Sequence, residues 1–147
     1  MQRRILLVED DHLQRNYVKQ ALEDELGADV KTLCCEKNFI DGFEKLAADP
    51  PGLAVLDIML MWARPSKDEA DQPPDDRTPE QAGLRCAAML RNDPRTSDVK
   101  VLLYSVFPER DIMNRDMAKG AVMIVKEADC QNLFEEIQKL YPDPAAS

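Results

Sequence analysis

The stretch that decides the fold is ILLVEDD, residues 5–11, in which four apolar residues run directly into three acidic ones. A short, continuous apolar run is typical of a strand that is buried on both faces. The same pattern returns in LAVLD, residues 53–57, where the apolar run ends on Asp57. Strands of this kind belong to parallel sheets that helices cover on both sides. The two stretches therefore predict an α/β protein with acidic side chains where two of its strands end.

The rest of the chain alternates strand and helix patterns. Further apolar runs predict strands at residues 30–34, 99–104 and 121–125. Apolar residues at helical spacing predict helices over about 13–26, 39–47, 79–91, 112–120 and 133–141. The stretch TPEQ, residues 78–81, offers a capping box formed by Thr78 and Gln81, with Pro79 at the first helical position. Because parallel neighbours need crossover connections, this order predicts a five-stranded parallel sheet with helices on both faces.

Length and charge narrow the possible functions. We expect the 147 residues to form one domain, residues 1–147, with a short tail at 142–147. The formal net charge of −9 opposes contact with nucleic-acid phosphates and anionic lipid, so we expect no nucleic-acid and no membrane partner. The chain has neither an apolar run near the ~20 residues of a membrane span nor a signal-peptide core, which favours a cytoplasmic location. Its four cysteines lack the CxxC spacing of zinc and redox sites.

Chemistry-bearing residues collect where the predicted strands end, which is where α/β sheets place their sites. These residues are Glu9, Asp10 and Asp11 after the first strand, Asp57 after the third, Ser105 after the fourth and Lys126 after the fifth. Carboxylates that face one another repel, so the pattern predicts a bound cation, and an all-oxygen ligand set favours Mg²⁺. A hydroxyl and an ammonium beside Asp57 suit the oxygens of a phosphoryl group, with Asp57 as the nucleophile. The alternative for the acidic run at 9–11 is capping of the first helix.

The sequence resembles the response-regulator receiver domain, the phospho-acceptor half of bacterial two-component signalling. Five stretches in order carry the resemblance: 5–11 (ILLVEDD), 53–59 (LAVLDIM), 83–94 (GLRCAAMLRNDP), 101–105 (VLLYS) and 120–126 (GAVMIVK). The resemblance implies a CheY-like, flavodoxin-like (βα)5 fold and a stand-alone receiver in a phosphorelay. It implies a histidine kinase or phosphotransfer protein as the phosphodonor and a downstream protein target as the recipient of the signal. Such a protein is not an enzyme for a separate substrate, because it catalyses only its own phosphorylation and dephosphorylation.

The resemblance also assigns roles to individual residues. Asp57 would be the phosphorylated aspartate, and Lys126 would pair with a phosphoryl oxygen. Ser105 would be the switch hydroxyl that moves toward the phosphoryl group. The ligands of Mg²⁺ would be Asp10, Asp57, the backbone carbonyl of Met59 and, mainly through a water, Glu9.

The chain departs from the receiver pattern at several positions. Residues 61–79 form an acidic, proline-rich insertion, which is either a lid or docking segment or a surface loop without function. Within it, Trp62 could cover the site, anchor a partner or pack against the sheet edge. Lys126 is followed by Glu127 rather than the usual proline, which favours a trans peptide bond. Met123 stands where the family has a switching aromatic residue.

These departures leave two functions open. The first is a phosphorylatable receiver, and the alternative is a pseudo-receiver, an interaction module that does not depend on phosphorylation. Retention of Asp10, Asp57, Ser105 and Lys126 favours the first. An aspartate-based phosphohydrolase is disfavoured because Asp57 has no second acid two residues later. A Rossmann dehydrogenase is disfavoured because no GxGxxG follows the first strand.

Overall fold

The predicted parallel sheet is present. The computed structural model describes residues 2–64, 72–74, 77–106 and 116–142. Its strands are β1 (Arg4–Val8), β2 (Asp29–Leu33), β3 (Leu53–Leu56), β4 (Lys100–Ser105) and β5 (Val122–Val125). They form one sheet in the order β2-β1-β3-β4-β5, and every pair is parallel. The flavodoxin-like arrangement is thus confirmed, with strand ends within one residue of the predicted ones.

The helices of the described residues are α1 (His12–Leu26), α2 (Glu36–Asp41), α3 (Phe43–Ala48), α4 (Ala82–Asn92) and α5 (Gln131–Leu140). None of them is long and apolar enough to cross a bilayer. The single helix predicted over 39–47 is wrong, because the chain breaks at Gly42 into α2 and α3. The capping box is wrong as well, since Thr78 makes no side-chain cap and a short 3₁₀ turn at Pro79–Gln81 precedes α4.

Some predicted elements fall wholly or partly outside the described residues. Of the helix predicted at 112–120, only 116–120 is described, and that segment forms turns. Of the insertion, residues 61–64, 72–74 and 77–79 are described, and of the tail only Pro142. The described peptide bonds include none in the cis form, so the bond after Lys126 is trans as predicted.

Side chains of the central strands alternate between two apolar layers, as the pleat requires. Leu6 and Val8 of β1 pack with α2, α3 and α4 on one face, and Ile5 and Leu7 pack with α1 and α5 on the other. Strand β3 is fully buried over its whole length, which is why its sequence is a continuous apolar run. Helices therefore cover both faces, and the polar groups of the central strands gather at their ends.

The acidic run after β1 divides between two tasks. The Asp11 carboxylate accepts a hydrogen bond from the Gln14 backbone N–H at 3.0 Å and so caps α1. The capping interpretation is therefore right for Asp11. Glu9 and Asp10 make different contacts, which are described with the site.

Helix α4 begins in direct backbone contact with the segment that carries Asp57. The Gly83 N–H donates to the Ile58 carbonyl at 2.8 Å. A Cβ on Gly83 would lie 2.0 Å from the Asp57 carbonyl oxygen and 2.6 Å from the Ile58 Cα. Both neighbours are backbone atoms and cannot rotate away, so only glycine fits here.

We therefore expect Gly83→Ala to destabilise the fold by about 2 kcal/mol or more, because the methyl group pushes α4 away from β3. Denaturant unfolding of purified protein measures this change. Gly42→Ala is the matched control, since a Cβ there meets only the Asn38 carbonyl oxygen at 3.2 Å. A Gly83→Ala variant as stable as wild type would show that α4 does not approach β3 so closely.

Candidate functional site

Three carboxylates meet at the carboxyl edge of the sheet. Val8 pairs with Leu56 in the register of β1 and β3, so the residues that follow these strands are neighbours. The Asp57 N–H donates to the Val8 carbonyl at 3.0 Å, which continues the pairing into the site. One carboxylate oxygen from each of Glu9, Asp10 and Asp57 lies within 4.8 Å of the others. The structure thus brings together Glu9, Asp10 and Asp57, the three acidic residues predicted as metal ligands. Asp11, which the sequence also placed at this edge, caps α1 instead.

The ammonium of Lys126 reaches this cluster from the far side of β4. Its backbone N–H donates to the Ser105 carbonyl at 2.7 Å, so the residue continues the pairing of β5 with β4. From there its Nζ donates to Asp57 Oδ2 at 3.0 Å and to Glu9 Oε2 at 2.9 Å. The Lys126 side chain is partly buried and lies 5.8 Å from the Tyr104 ring centroid. Lys126, which directly follows β5, thus reaches both Asp57 and Glu9.

Burial makes the charges of this cluster interact strongly. Glu9 is 4% exposed, and burial together with the neighbouring Asp57 raises the pKa of the Glu9 carboxyl to about 7. Lys126 lowers that pKa in turn, by less than the other two raise it. Burial also works against the charged form of Lys126, but the attraction of Asp57 and Glu9 prevails and raises its pKa. The ionised cluster keeps more negative charge than Lys126 neutralises, which is the condition that favours a bound cation.

Backbone donors hold the carboxylates in place. The Met59 N–H donates to Asp57 Oδ1 at 3.3 Å, while Lys126 holds the other oxygen. The Met61 N–H donates to Asp10 Oδ2 at 2.9 Å. Met59 as a residue is 40% exposed. The role of its backbone carbonyl as a metal ligand stays a prediction.

Ser105 is the last residue of β4 and is 2% exposed. It follows Leu103 by two residues, and Leu103 pairs with Leu56 of β3. This register places Ser105 at the same edge as the carboxylates, as predicted. Its role as a switch hydroxyl stays a prediction.

The sequence analysis did not predict one buried carboxylate near the site. Glu36 begins α2, is 1% exposed and accepts hydrogen bonds from Arg85 and Arg77. An acid at the start of a helix usually caps or faces solvent, so its position alone gave no signal of burial. The guanidinium of Arg77 also lies 5.6 Å from the ring centroid of Trp62, which therefore packs within the base of the insertion.

The chain matches known proteins by its fold and not by its sequence. No protein-family model and no curated protein sequence matches the chain. Many solved structures do match its fold. A response regulator receiver domain protein (CheY-like) from Methanospirillum hungatei is 24% identical, with a TM-score of 0.68 over 95% of this chain and 94% of that one. The response regulator protein TrrA from Thermotoga maritima, solved with Mg²⁺-BeF, is 23% identical, with a TM-score of 0.67 over 95% of this chain and 99% of that one.

A further match is to the complex of histidine kinase ThkA with response regulator protein TrrA, at 22% identity. Its TM-score is 0.68 over 96% of this chain and 99% of the matched chain. The chain therefore has the fold of response-regulator receiver domains, as its sequence predicted.

The raised pKa of Glu9 predicts how stability depends on pH in metal-free protein. The folded state keeps a proton that the unfolded state, with its ordinary pKa of 4.5, has already released. Stability should therefore fall as the pH rises from about 4.5 to about 7. Glu9→Gln removes this loss, so we expect it to exceed wild type by about 1–3 kcal/mol at pH 8 and to show much less advantage at pH 4.5. Denaturant unfolding with a chelator present measures both values, and an equal difference at the two pH values would contradict the assignment to Glu9.

Proposed function

We propose that this chain is a phospho-accepting receiver of a two-component phosphorelay, in which Asp57 becomes phosphorylated in a Mg²⁺-dependent reaction. The observation that carries the proposal is the position of Asp57, held 3.0 Å from the Lys126 ammonium within a cluster of three carboxylates. The solved structures with the same fold include one with Mg²⁺-BeF and one in complex with a histidine kinase. The complex supports a histidine kinase as the phosphodonor, and a phosphotransfer protein is the alternative donor that the sequence resemblance implies.

The donor set fits Mg²⁺. Glu9, Asp10 and Asp57 offer carboxylate oxygens within 4.8 Å of one another, and Mg²⁺ is commonly held by a few carboxylates together with waters. Asp10 and Asp57 would be direct ligands, together with the Met59 carbonyl, and Glu9 would act mainly through a water. When bound, Mg²⁺ supplies positive charge beside the reacting phosphoryl oxygens.

The chain's own residues supply the remaining steps. An oxygen of Asp57 attacks the phosphorus of the donor's phosphohistidine, so that a new O–P bond forms while the N–P bond breaks and its electron pair stays on the histidine nitrogen. Lys126 stabilises the negative charge on the transferred group, since its ammonium already lies within 3.0 Å of Asp57. Ser105 would then donate a hydrogen bond from its hydroxyl to a phosphoryl oxygen. Water later hydrolyses the acyl phosphate and restores Asp57.

The phosphorylated chain would act through contact with a downstream protein rather than through nucleic acid or membrane. Its formal charge of −9 supports this, because it opposes binding to polyanions. The same charge balance and composition are compatible with the cytoplasmic location that two-component receivers have.

The direct test is phosphorylation by acetyl phosphate in the presence of Mg²⁺. We expect the intact mass of the protein to increase by one phosphoryl group, and the increase to be absent in Asp57→Asn or when a chelator removes Mg²⁺. Asp49→Asn is the matched control, because Asp49 is an exposed carboxylate whose ion pair with Arg4 lies away from the site. A folded wild type that gains no phosphoryl group would support the pseudo-receiver instead. A gain of mass in Asp57→Asn would show that another residue is the nucleophile.

The role of Lys126 can be tested separately from metal binding. Lys126→Met removes a positive charge from the carboxylate cluster, so we expect it to bind Mg²⁺ more tightly. The same change removes charge stabilisation of the phosphoryl group, so phosphorylation should slow by about 10²-fold at saturating Mg²⁺. Lys139→Met, in the last turn of α5, is the control and should change neither quantity. Wild-type phosphorylation kinetics in Lys126→Met would contradict the assigned role.

A further inference from the structure

Glu36 contacts both described ends of the insertion, through its carboxylate at Arg77 and through its backbone N–H at Met61. Arg85 donates to both of its oxygens, from Nε and from Nη2, at 2.7 Å each. Arg77 donates from Nη1 to Oε2 at 2.8 Å. A carboxylate that is 1% exposed requires such compensation, and the two-pronged contact with Arg85 is the geometry in which arginine holds a carboxylate best.

The two arginines fix the chain where the insertion ends. Arg85 Nη2 also donates to the Thr78 carbonyl at 2.6 Å, and Arg77 itself lies over the Trp62 ring. The Leu60 N–H donates to the Pro79 carbonyl at 3.1 Å, so the two ends of the insertion are bonded to each other. We call the described residues 61–64 and 77–79 the insertion base.

The backbone of α2 holds the other side of the insertion base. The Glu36 N–H donates to the Met61 carbonyl at 3.0 Å, and the Lys37 N–H donates to the Trp62 carbonyl at 2.8 Å. The N–H of Met61 in turn donates to Asp10 Oδ2 at 2.9 Å. Residue 61 is therefore bonded to Glu36 through its carbonyl and to Asp10 through its amide.

We infer that Glu36 is a positioning residue of the metal site, which holds the insertion base so that Met61 fixes the carboxylate of Asp10. The inference rests on the proposed function, in which Asp10 is a ligand of Mg²⁺. Glu36 itself does not touch the carboxylate cluster through any hydrogen bond or ion pair that the described residues show.

The physical reason is the repulsion among the ligands. Asp10 must stay beside Glu9 and Asp57 before a cation arrives, although like charges favour rotation of its side chain away from them. The hydrogen bond from Met61 opposes that rotation. Mutation of a residue that hydrogen-bonds directly to a metal ligand commonly lowers metal affinity by about 10–100-fold. Because the Glu36 carboxylate acts on Met61 indirectly, through the arginines that hold the insertion base, we expect a smaller factor, about three- to tenfold.

The coupling must work in both directions, because linkage between two sites is reciprocal. Binding of Mg²⁺ should therefore stabilise the insertion base. Trp62 is the only tryptophan of the chain and lies in that base, where its carbonyl accepts from the Lys37 N–H and its ring lies under the Arg77 guanidinium. Its fluorescence should respond to Mg²⁺, which gives a signal that does not depend on phosphorylation.

The test is calorimetric titration of Mg²⁺ into wild type and Glu36→Gln, with Trp62 fluorescence recorded in parallel. We expect Glu36→Gln to bind Mg²⁺ about three- to tenfold more weakly and to show a smaller fluorescence response. Glu44→Gln is the charge-matched control, since Glu44 pairs with Arg95 on the exposed surface. Ile137→Val, in the apolar layer on the opposite face, controls for general loss of stability. Unchanged Mg²⁺ affinity in folded Glu36→Gln would overturn the inference.

Should Glu36→Gln fail to fold, Arg77→Gln provides the second variant, because it leaves the contacts of Glu36 with Arg85 in place. We expect a smaller decrease in Mg²⁺ affinity from this change, and wild-type affinity would overturn the inference. Failure of the proposed function gives a different result. A wild type that binds Mg²⁺ but is not phosphorylated at Asp57 contradicts the receiver function, while the comparison with Glu36→Gln still decides the role of Glu36. A wild type that binds no Mg²⁺ overturns both.

Discussion

Repulsion among Glu9, Asp10 and Asp57 governs how the carboxyl edge of the sheet is built. Two adjacent parallel strands end in acidic residues, so the sheet itself forces the carboxylates to within 4.8 Å of one another. The fold tolerates this charge because Lys126 neutralises part of it, and because backbone amides hold the oxygens of Asp10 and Asp57. The remaining negative charge is what makes a divalent cation a favourable partner. Stability and ligand binding therefore oppose each other at this edge of the sheet.

Support for the site comes from backbone contacts more than from side-chain packing. The contact of Gly83 with the Asp57 and Ile58 backbones places the start of α4 against the strand end that carries Asp57. Lys126 depends in a similar way on the pairing of β5 with β4, which continues as far as its own amide. Because these contacts have no side chains to rotate, the site is held rigidly against the repulsion that it contains.

The sequence predicted what local pattern and strand order determine. The apolar runs predicted the strands of the sheet. Five residues follow these runs directly or within two positions, and their places predicted a common edge for Glu9, Asp10, Asp57, Ser105 and Lys126. The division at Gly42 was missed because the apolar spacing continues through it. The cap predicted at Thr78 is not formed, because capping depends on a side-chain rotamer that the sequence does not determine. Glu36 was missed for another reason. It meets Arg77 and Arg85 across 41 and 49 residues of sequence, and nothing local marks such a pairing.

The hydrogen bond between Leu60 and Pro79 has a consequence for how this chain could change in evolution. It joins the two ends of the insertion, so the chain leaves the sheet edge and returns to it at nearly the same point. Since closing a longer loop between fixed ends costs little additional entropy, the intervening segment is free to lengthen, shorten or be exchanged for another. New recognition sequences could thus be acquired a few residues from Asp57 while the geometry of the carboxylate cluster is inherited unchanged.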